Sequence, residues 1–259
     1  MTRTVGGLLL QLKGKVCLVT GGSSGIGAAS ALALARKGGR IAVASRSGSA
    51  HLPESLRSEI SLNAPNTTFI QADVANPDDC RRCIDKVIED FGRLDVVVHS
   101  AGGPAPGGLF DVTEEDWMNA FAIHVHSVFH LARAAAPHIA LQKEGAIVLI
   151  GSVAGLRGCL GALAYGVAKG ALPQFARSLA RELGDQGIRV NCISPGVIRT
   201  PFQNSLTPEQ AANNIANRIP LHREGKAEEV ADFIVSLIEN DFITGENFVI
   251  DGGMSMRIA

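Results

Sequence analysis

The chain has 259 residues with a formal net charge of −1, and 46% of its residues are hydrophobic. This near-neutral balance gives no basic field for nucleic acid or an anionic membrane as partner, and no apolar run approaches the ~20 residues that span a bilayer. Five cysteines fit reduced thiols and Leu8-Leu9-Leu10 is too short for a signal-peptide core, so we expect a cytoplasmic protein.

Strands and helices alternate along the chain. Apolar or β-branched runs predict strands at 16–19, 41–45, 68–72, 94–98, 146–150, 189–193 and 247–250. Helices are predicted at 28–37, after Asn76-Pro77, at 161–183 and at 226–238. The alternation predicts an α/β fold, a Rossmann-like doubly wound parallel sheet of about seven strands with helices on both faces. No repeat or linker interrupts it, so we expect a single domain, 1–259, with residues 1–13 as an N-terminal extension.

The first predicted strand leads into Thr20-Gly21-Gly22-Ser23-Ser24-Gly25-Ile26-Gly27 and then into a helix. Backbone N–H groups at such a helix start face an anion, and glycine lets the backbone come close to it. Ala28 stands where a Walker loop needs its lysine. The motif therefore predicts a phosphate site of the dinucleotide-binding kind.

Tyr165 and Lys169 lie four residues apart and share one face of a predicted helix. An ammonium beside a phenol stabilises the phenolate, so we expect Tyr165 to exchange a proton closer to neutral pH than its ordinary pKa allows. Ser152 follows a predicted strand, from which its hydroxyl can orient a substrate oxygen.

These motifs, in this order, resemble the short-chain dehydrogenase/reductase family in its compact single-domain form. The resemblance covers nearly the whole chain and includes Asp73-Val74, Asn191-Cys192-Ile193-Ser194-Pro195-Gly196 and Ile250-Asp251-Gly252-Gly253. It implies an NAD(P)-dependent oxidoreductase that transfers a hydride between nicotinamide and a carbonyl or secondary alcohol carbon. Tyr165 would be the general acid/base, Lys169 would hold the ribose and favour the phenolate, and Ser152 would donate to the carbonyl oxygen.

The resemblance also implies the cofactor contacts. These are Gly21, Ser23, Ser24, Gly25, Ile26 and Gly27 at the phosphates, Asp73 and Val74 at the adenine, Ala101 and Gly102 near the ribose, Tyr165 and Lys169, and Pro195, Gly196 and Ile198 at the nicotinamide, with Thr200 bonding its carboxamide or a phosphate. Ser45 and Arg46 stand where an acid would bind the 2′-hydroxyl of NAD. Because an arginine fork suits a phosphate, we expect NADP(H) more than NAD(H).

Two positions depart from the family pattern. His99-Ser100-Ala101-Gly102 replaces Asn-Asn-Ala-Gly, and His124 aligns with the asparagine that holds a water in the proton relay behind the lysine. Histidine also donates and accepts, so we expect His124 either to keep the relay and add pH dependence near neutrality, or to be structural.

The cysteine and histidine pairs of the sequence give weaker indications of a functional site. Cys80 and Cys83 fall on the apolar stripe of a predicted helix, which favours core packing over metal or redox chemistry. His126 and His130 have no third ligand, so we expect no metal site. By resemblance, a homotetramer, or a homodimer, is expected.

The substrate is the least defined part. The loop 102–110 and a lid over about 199–220, with Phe202, Leu206 and Ile215, are expected to shape the pocket. A ketone, a sugar or polyol, and a 3-oxoacyl thioester stay open as substrates. A catalytically silent nucleotide-binding regulator or scaffold and a dehydratase or epimerase on the same fold are the alternatives in function.

Overall fold

The computed structural model describes residues 10–48, 50 and 52–256. Its strands are β1 (Val16–Thr20), β2 (Arg40–Ser45), β3 (Thr68–Gln71), β4 (Val96–His99), β5 (Gly145–Ile150), β6 (Ile188–Pro195), β7 (Ile198–Arg199), β8 (Gly225–Lys226) and β9 (Asn247–Ile250). Seven of them form a parallel sheet in the order β3-β2-β1-β4-β5-β6-β9, and β7 pairs with β8. The predicted fold class is confirmed.

Helices cover both faces of this sheet. They are α1 (Gly25–Arg36), α2 (Glu54–Asn63), α3 (Pro77–Phe91), α4 (Glu114–Phe121), α5 (Ser127–Ala140), α6 (Leu163–Leu183), α7 (Pro208–Asn213) and α8 (Ala227–Glu239). One buried cluster packs α3, α5 and α6 against the sheet, and a second packs α1 and α8 against the opposite face. Within the part of the chain that is described, no helix is long and apolar enough to cross a bilayer.

The order of the strands creates the crevice. From β1 the chain moves outward through β2 and β3, then returns to β4 on the other side of β1 and proceeds through β5 and β6. Adjacent parallel strands whose connections leave in opposite directions open a gap at their carboxyl ends, where ligands bind in such sheets. This gap lies between the ends of β1 and β4.

The prediction misplaced or missed some elements. Helix α2 was missed because Ile60 is its only buried residue, which leaves almost no apolar periodicity. Leu10 and Leu12 are buried in the core, so this part of the expected N-terminal extension packs on the body. Residues 1–9 of the expected extension lie outside the described residues.

Cys80 and Cys83 lie on the buried face of α3, as the apolar stripe predicted. Burial raises the pKa of both thiols to about 12, so they stay protonated. Among the described residues, no group of three or more histidine, cysteine or acidic side chains is arranged to hold a metal ion.

Candidate active site

A cavity of about 1150 Å³ lies at the carboxyl edge of the sheet. It is lined by every predicted site residue except Gly27, namely Gly21, Ser23, Ser24, Gly25, Ile26, Ser45, Arg46, Asp73, Val74, Ala101, Gly102, His124, Ser152, Tyr165, Lys169, Pro195, Gly196, Ile198 and Thr200. The glycine motif and the Tyr165–Lys169 pair thus share one space, although more than 130 positions of sequence separate them.

The glycine-rich turn is a close-packed cradle. A Cβ on Gly27 would lie 2.3 Å from the Gly21 carbonyl oxygen, so Gly27 supports the turn from behind and does not line the cavity. A Cβ on Gly21 would lie 2.7 Å from the Ala101 backbone. Only glycine fits at both positions, and the turn therefore stays open to a phosphate.

Helix α1 begins at this turn with its N–H groups uncapped. Its N-cap residue Ser24 makes no side-chain cap hydrogen bond, and the first turn of α1 contains no acid. The positive end of the helix dipole is therefore available to an anion. The residues present fit a dinucleotide pyrophosphate.

The end of β2 forms a small polar turn. The Ser45 hydroxyl donates to the Gly48 carbonyl at 2.6 Å, which commits its proton within the turn. Arg46 is exposed at the cavity, and within the described chain it forms no ion pair. Ser47, which the sequence prediction missed, also lines the cavity.

Ser152, Tyr165 and Lys169 come from two adjacent elements. Ser152 follows β5 and accepts from the Ala154 N–H at 3.1 Å, while Tyr165 and Lys169 lie in the first turns of α6. The Lys169 ammonium is buried and donates to the Ile150 carbonyl at 2.7 Å, and its Nζ lies 5.9 Å from the centroid of the Tyr165 ring. The three groups converge on one point of the cavity wall.

The expected lowering of the Tyr165 pKa is wrong for this structure. Removal from water raises the pKa of the phenol, and a hydrogen bond with Ser152 opposes this only in part. Burial lowers the pKa of Lys169 to about 8, because the ammonium loses solvation that one carbonyl does not replace. Near neutral pH, therefore, the phenol and the ammonium both carry their protons.

His124 lies in the site, on a π-helical turn (Ala122–His126) between α4 and α5. Its Nε2 lies 3.0 Å from the Gly103 carbonyl and donates to it, so Nδ1 is the acceptor nitrogen. Nδ1 is buried without a hydrogen-bond partner among the described residues. A Cβ on Gly102 would lie 3.2 Å from Nδ1 and 3.7 Å from the Lys169 Nζ, so both atoms border one small space.

The expected pH dependence of His124 is not supported. Burial, and then the nearby Lys169 charge, lower the pKa of His124 to about 3. The ring is therefore neutral throughout the neutral range. The His124 and Tyr165 rings also pack in a T-shaped arrangement, with 5.4 Å between their centroids.

His99 is the other departure from the family pattern, and both of its ring nitrogens form hydrogen bonds. The Thr20 hydroxyl lies 2.8 Å from Nδ1, and the Ser127 hydroxyl lies 3.0 Å from Nε2. Because Ser127 donates its proton to the Ile123 carbonyl at 2.6 Å, it accepts from Nε2–H. His99 thereby links the end of β1 to the π-helical turn that carries His124.

The far end of the cavity is built by segments that lie outside the seven-stranded sheet. Phe202 and Leu206 of the expected lid line it, and the Phe202 ring lies 5.8 Å from the Tyr165 ring. Ile215 instead lines a separate cavity beside Arg223, and of the loop 102–110 only Gly102 and Gly103 line the main one. Asn214 and Arg218, which also line the cavity, fall within the predicted lid but were not singled out by the sequence prediction, and Met254 and Ser255 were missed.

Known proteins match this chain along most of its length. A family model described as enoyl-(acyl carrier protein) reductase matches residues 21–255. The 3-oxoacyl-(acyl-carrier-protein) reductase of Thermotoga maritima is 34% identical over 247 residues, which are 95% of this chain and 99% of that protein. The chain belongs to the short-chain dehydrogenase/reductase family.

Solved structures agree with this assignment. A short-chain dehydrogenase/reductase from Mycobacterium marinum superimposes with a TM-score of 0.90 at 32% identity, covering 96% of this chain and 98% of the other. L-sorbose reductase from Gluconobacter frateurii, solved with NADPH and L-sorbose, gives 0.87 at 28% identity, with 95% and 98% covered. The protein is an NAD(P)-dependent oxidoreductase that acts on carbonyl substrates.

Proposed function

We propose that the protein is an NADP(H)-preferring carbonyl reductase in which Tyr165 is the general acid. The observation that carries this is the convergence of Ser152, Tyr165 and Lys169 in the cavity that also contains the glycine cradle. When bound, the nicotinamide supplies or accepts the hydride. Ser152 donates to the substrate oxygen, which gains negative charge as reduction proceeds.

The protonation of the site favours reduction. Tyr165 keeps its proton because desolvation raises its pKa, so near neutral pH it is ready to donate to a nascent alkoxide. Lys169, whose pKa lies at about 8, is mostly an ammonium there. Once Tyr165 has donated, that charge stabilises the phenolate left behind.

His124 completes the proton path in this proposal. Its neutral Nδ1 accepts, through one bridging water, from the Lys169 ammonium on the other side of the same small space. The donor bond from Nε2 to Gly103 fixes the ring in the required tautomer. This is the role of the family's asparagine, performed by a ring that does not titrate near neutrality.

Different residues would hold the different chemical parts of the cofactor. The Gly21–Gly25 turn and the start of α1 would receive the pyrophosphate, and Asp73, Val74 and Ala101 the adenosine. Arg46 supports the preference for NADP(H), since its charge is unpaired within the described chain and no acid follows β2 at positions 45–48. NADPH is also the cofactor in the L-sorbose reductase complex.

The domain organisation, the substrate class, the assembly and the location of the protein are proposed as follows. We propose a single domain with a lid over about 199–220, acting on a ketone, a sugar or polyol, or a 3-oxoacyl thioester. We also propose a homotetramer, supported by the exposed Phe129 and Val167 on α5 and α6, and a cytoplasmic location, supported by five free cysteines. Sedimentation would test the assembly.

Replacement of Tyr165 by Phe tests the function. We expect Tyr165→Phe to bind NADPH as the wild type does and to lose turnover of a ketone by a factor on the order of 100 or more. Fluorescence of bound NADPH measures the first and its oxidation the second. Turnover retained by Tyr165→Phe would refute the role of Tyr165, and a wild type that binds NADPH but reduces no carbonyl compound would favour the silent regulator.

A further inference from the structure

Two arginines stand at the substrate end of the cavity. Among the described residues, five with formal charges line the cavity: Arg46, Asp73, Arg157, Lys169 and Arg218. Arg46 and Asp73 follow β2 and β3, at the adenosine side, and Lys169 is committed to the Ile150 carbonyl. Arg157 and Arg218 are left, and Asp73 at the adenosine side is the only acid of the described chain on the cavity wall.

Arg157 is held by a turn near the chain end. Its Nε donates to the Ser255 carbonyl at 3.0 Å. That turn is ordered by Asp251, whose carboxylate accepts from the Gly253 N–H at 2.8 Å and the Ser255 N–H at 2.6 Å. Arg157 is therefore oriented by a neutral carbonyl, and its charge is not compensated by that contact.

Arg218 is held in the same way. It ends a π-helical turn (Asn214–Arg218), and its Nη1 donates to the Oδ1 of Asn214 at 2.8 Å. Asn214 is buried, so the amide that orients the guanidinium is itself fixed. Here too a neutral oxygen fixes the arginine and leaves its charge to another partner.

Most other described arginines of the surface contrast with this pair. Those that form ion pairs with carboxylates are Arg36, Arg57, Arg81, Arg82, Arg93, Arg199 and Arg223. Arg157 and Arg218 form none within the described residues, although both are oriented and both line the cavity. A guanidinium fork so placed suits a carboxylate or a phosphate.

We propose that the substrate is a carbonyl compound with a separate anionic group, which Arg157 and Arg218 bind at the mouth of the cavity. The inference rests on the proposed function for the reacting end of the substrate, where Ser152 and Tyr165 receive the carbonyl. The anion is the carboxylate of an oxo acid or a phosphate of a carrier thioester, which share this chemistry.

Matched pairs of probes test the charge. Levulinate is compared with methyl levulinate, and acetoacetyl coenzyme A with the neutral N-acetylcysteamine thioester, by kcat/KM with NADPH. We expect at least one anionic probe to exceed its neutral partner about tenfold or more, with the advantage falling as salt rises. The pair that gives the preference identifies the source of the anion.

Substitution of each arginine then assigns the preference. We expect Arg157→Gln and Arg218→Gln each to lower kcat/KM for the preferred anionic probe about tenfold and to change the neutral partner less than about twofold. Arg177→Gln is the matched control, because Arg177 lies outside the cavity wall and also donates to a neutral oxygen, that of Gln174. It should leave all four probes unchanged.

Calorimetry separates this inference from the proposed function. Binding of levulinate and of methyl levulinate is measured in the presence of NADP⁺, where no reduction occurs. If no ketone is ever reduced but levulinate binds through the arginines, the function is wrong and the anion site stands. If neutral probes bind and react as well as anionic ones, or Arg157→Gln and Arg218→Gln match Arg177→Gln, the inference is overturned.

Discussion

The two ends of the cavity are built by different means. At the cofactor end, main-chain groups after parallel strands and at the start of α1 form the wall, and glycines keep it open. At the substrate end, the wall comes from the turn Val153–Gly155, from the segment between Pro201 and Arg218, which includes α7, and from the turn Met254–Met256. We expect side chains, more than backbone, to determine what binds there.

The two ends therefore differ in how specific their task is: the cofactor end binds phosphate, which many proteins do, and the substrate end recognises a particular substrate. A phosphate held by backbone N–H groups needs one geometry, which the strand, turn and helix supply with little dependence on side chains. Phe202, Arg157 and Arg218 line the other end of the cavity, and none of them belongs to a strand of the seven-stranded sheet. Tyr165, Lys169 and His124 lie where the two ends meet.

Among changes at the cofactor end, the largest effect is expected at Arg46, the side chain that we propose selects NADP(H). Arg46→Gln should raise the Kd for NADPH about 10- to 100-fold, the loss of charge-assisted hydrogen bonds to a phosphate, and leave NADH nearly unchanged. Titration of the fluorescence of each reduced cofactor measures both constants. Equal losses for NADPH and NADH would mean that Arg46 binds a part common to both, and no loss would make it a solvated surface residue.

The next largest effect is expected at His124, which lies where the cofactor end and the substrate end of the cavity meet. His124→Ala should lower kcat about tenfold by interrupting the relay, with the KM for NADPH unchanged, while His124→Asn should keep kcat within about threefold because an amide also donates and accepts. Free imidazole should partly restore His124→Ala. Wild-type kcat in His124→Ala would make the residue structural.

The pH profile adds a second readout for His124. Because its pKa lies at about 3, its charge does not change near neutral pH. The profiles of wild type and His124→Asn should therefore have the same shape, with no inflection near pH 6.5 that the variant lacks. Such an inflection would show that the ring is more hydrated than its contacts with Gly103 and Tyr165 indicate.

The cofactor end was predictable from sequence because its residues follow strands in contiguous motifs. Gly21, Ser45, Asp73 and Pro195 each come directly after, or at the end of, an apolar run, and all line the cavity. The predicted lid included Arg218 only as part of a segment, and Ser255 was missed, since nothing in their local sequence indicates a π-helical turn or the turn Met254–Met256 at the site. Ile215 was misplaced because it lies in a π-helical turn (Asn214–Arg218), which rotates side chains differently from an α-helix.

Protonation was the other failure of sequence reasoning. Spacing placed Lys169 near Tyr165 correctly, but spacing carries no information about desolvation. In the structure, burial is the largest cause for both groups and acts against the charged form of each. The burial of Tyr165 therefore predicts the direction in which its pKa is shifted.

The smallest effect is a shift in the titration of Tyr165, the only tyrosine of the chain. Absorbance of tyrosinate after a rapid pH jump reports this group alone, and its midpoint should lie above the ordinary value of 10.0. By that pH Lys169, with a pKa of about 8, has lost its proton and cannot stabilise the phenolate. Lys169→Met should therefore leave the midpoint nearly unchanged.

Ser152→Ala provides the contrast within the same titration. The Ser152 hydrogen bond lowers the Tyr165 pKa. Its removal in Ser152→Ala should therefore raise the midpoint of the Tyr165 titration further above 10.0. A midpoint below 10.0 in the wild type that rises in Lys169→Met would restore the ammonium as the dominant influence. Desolvation would then be weaker than the packing of Phe202 and His124 against the ring implies.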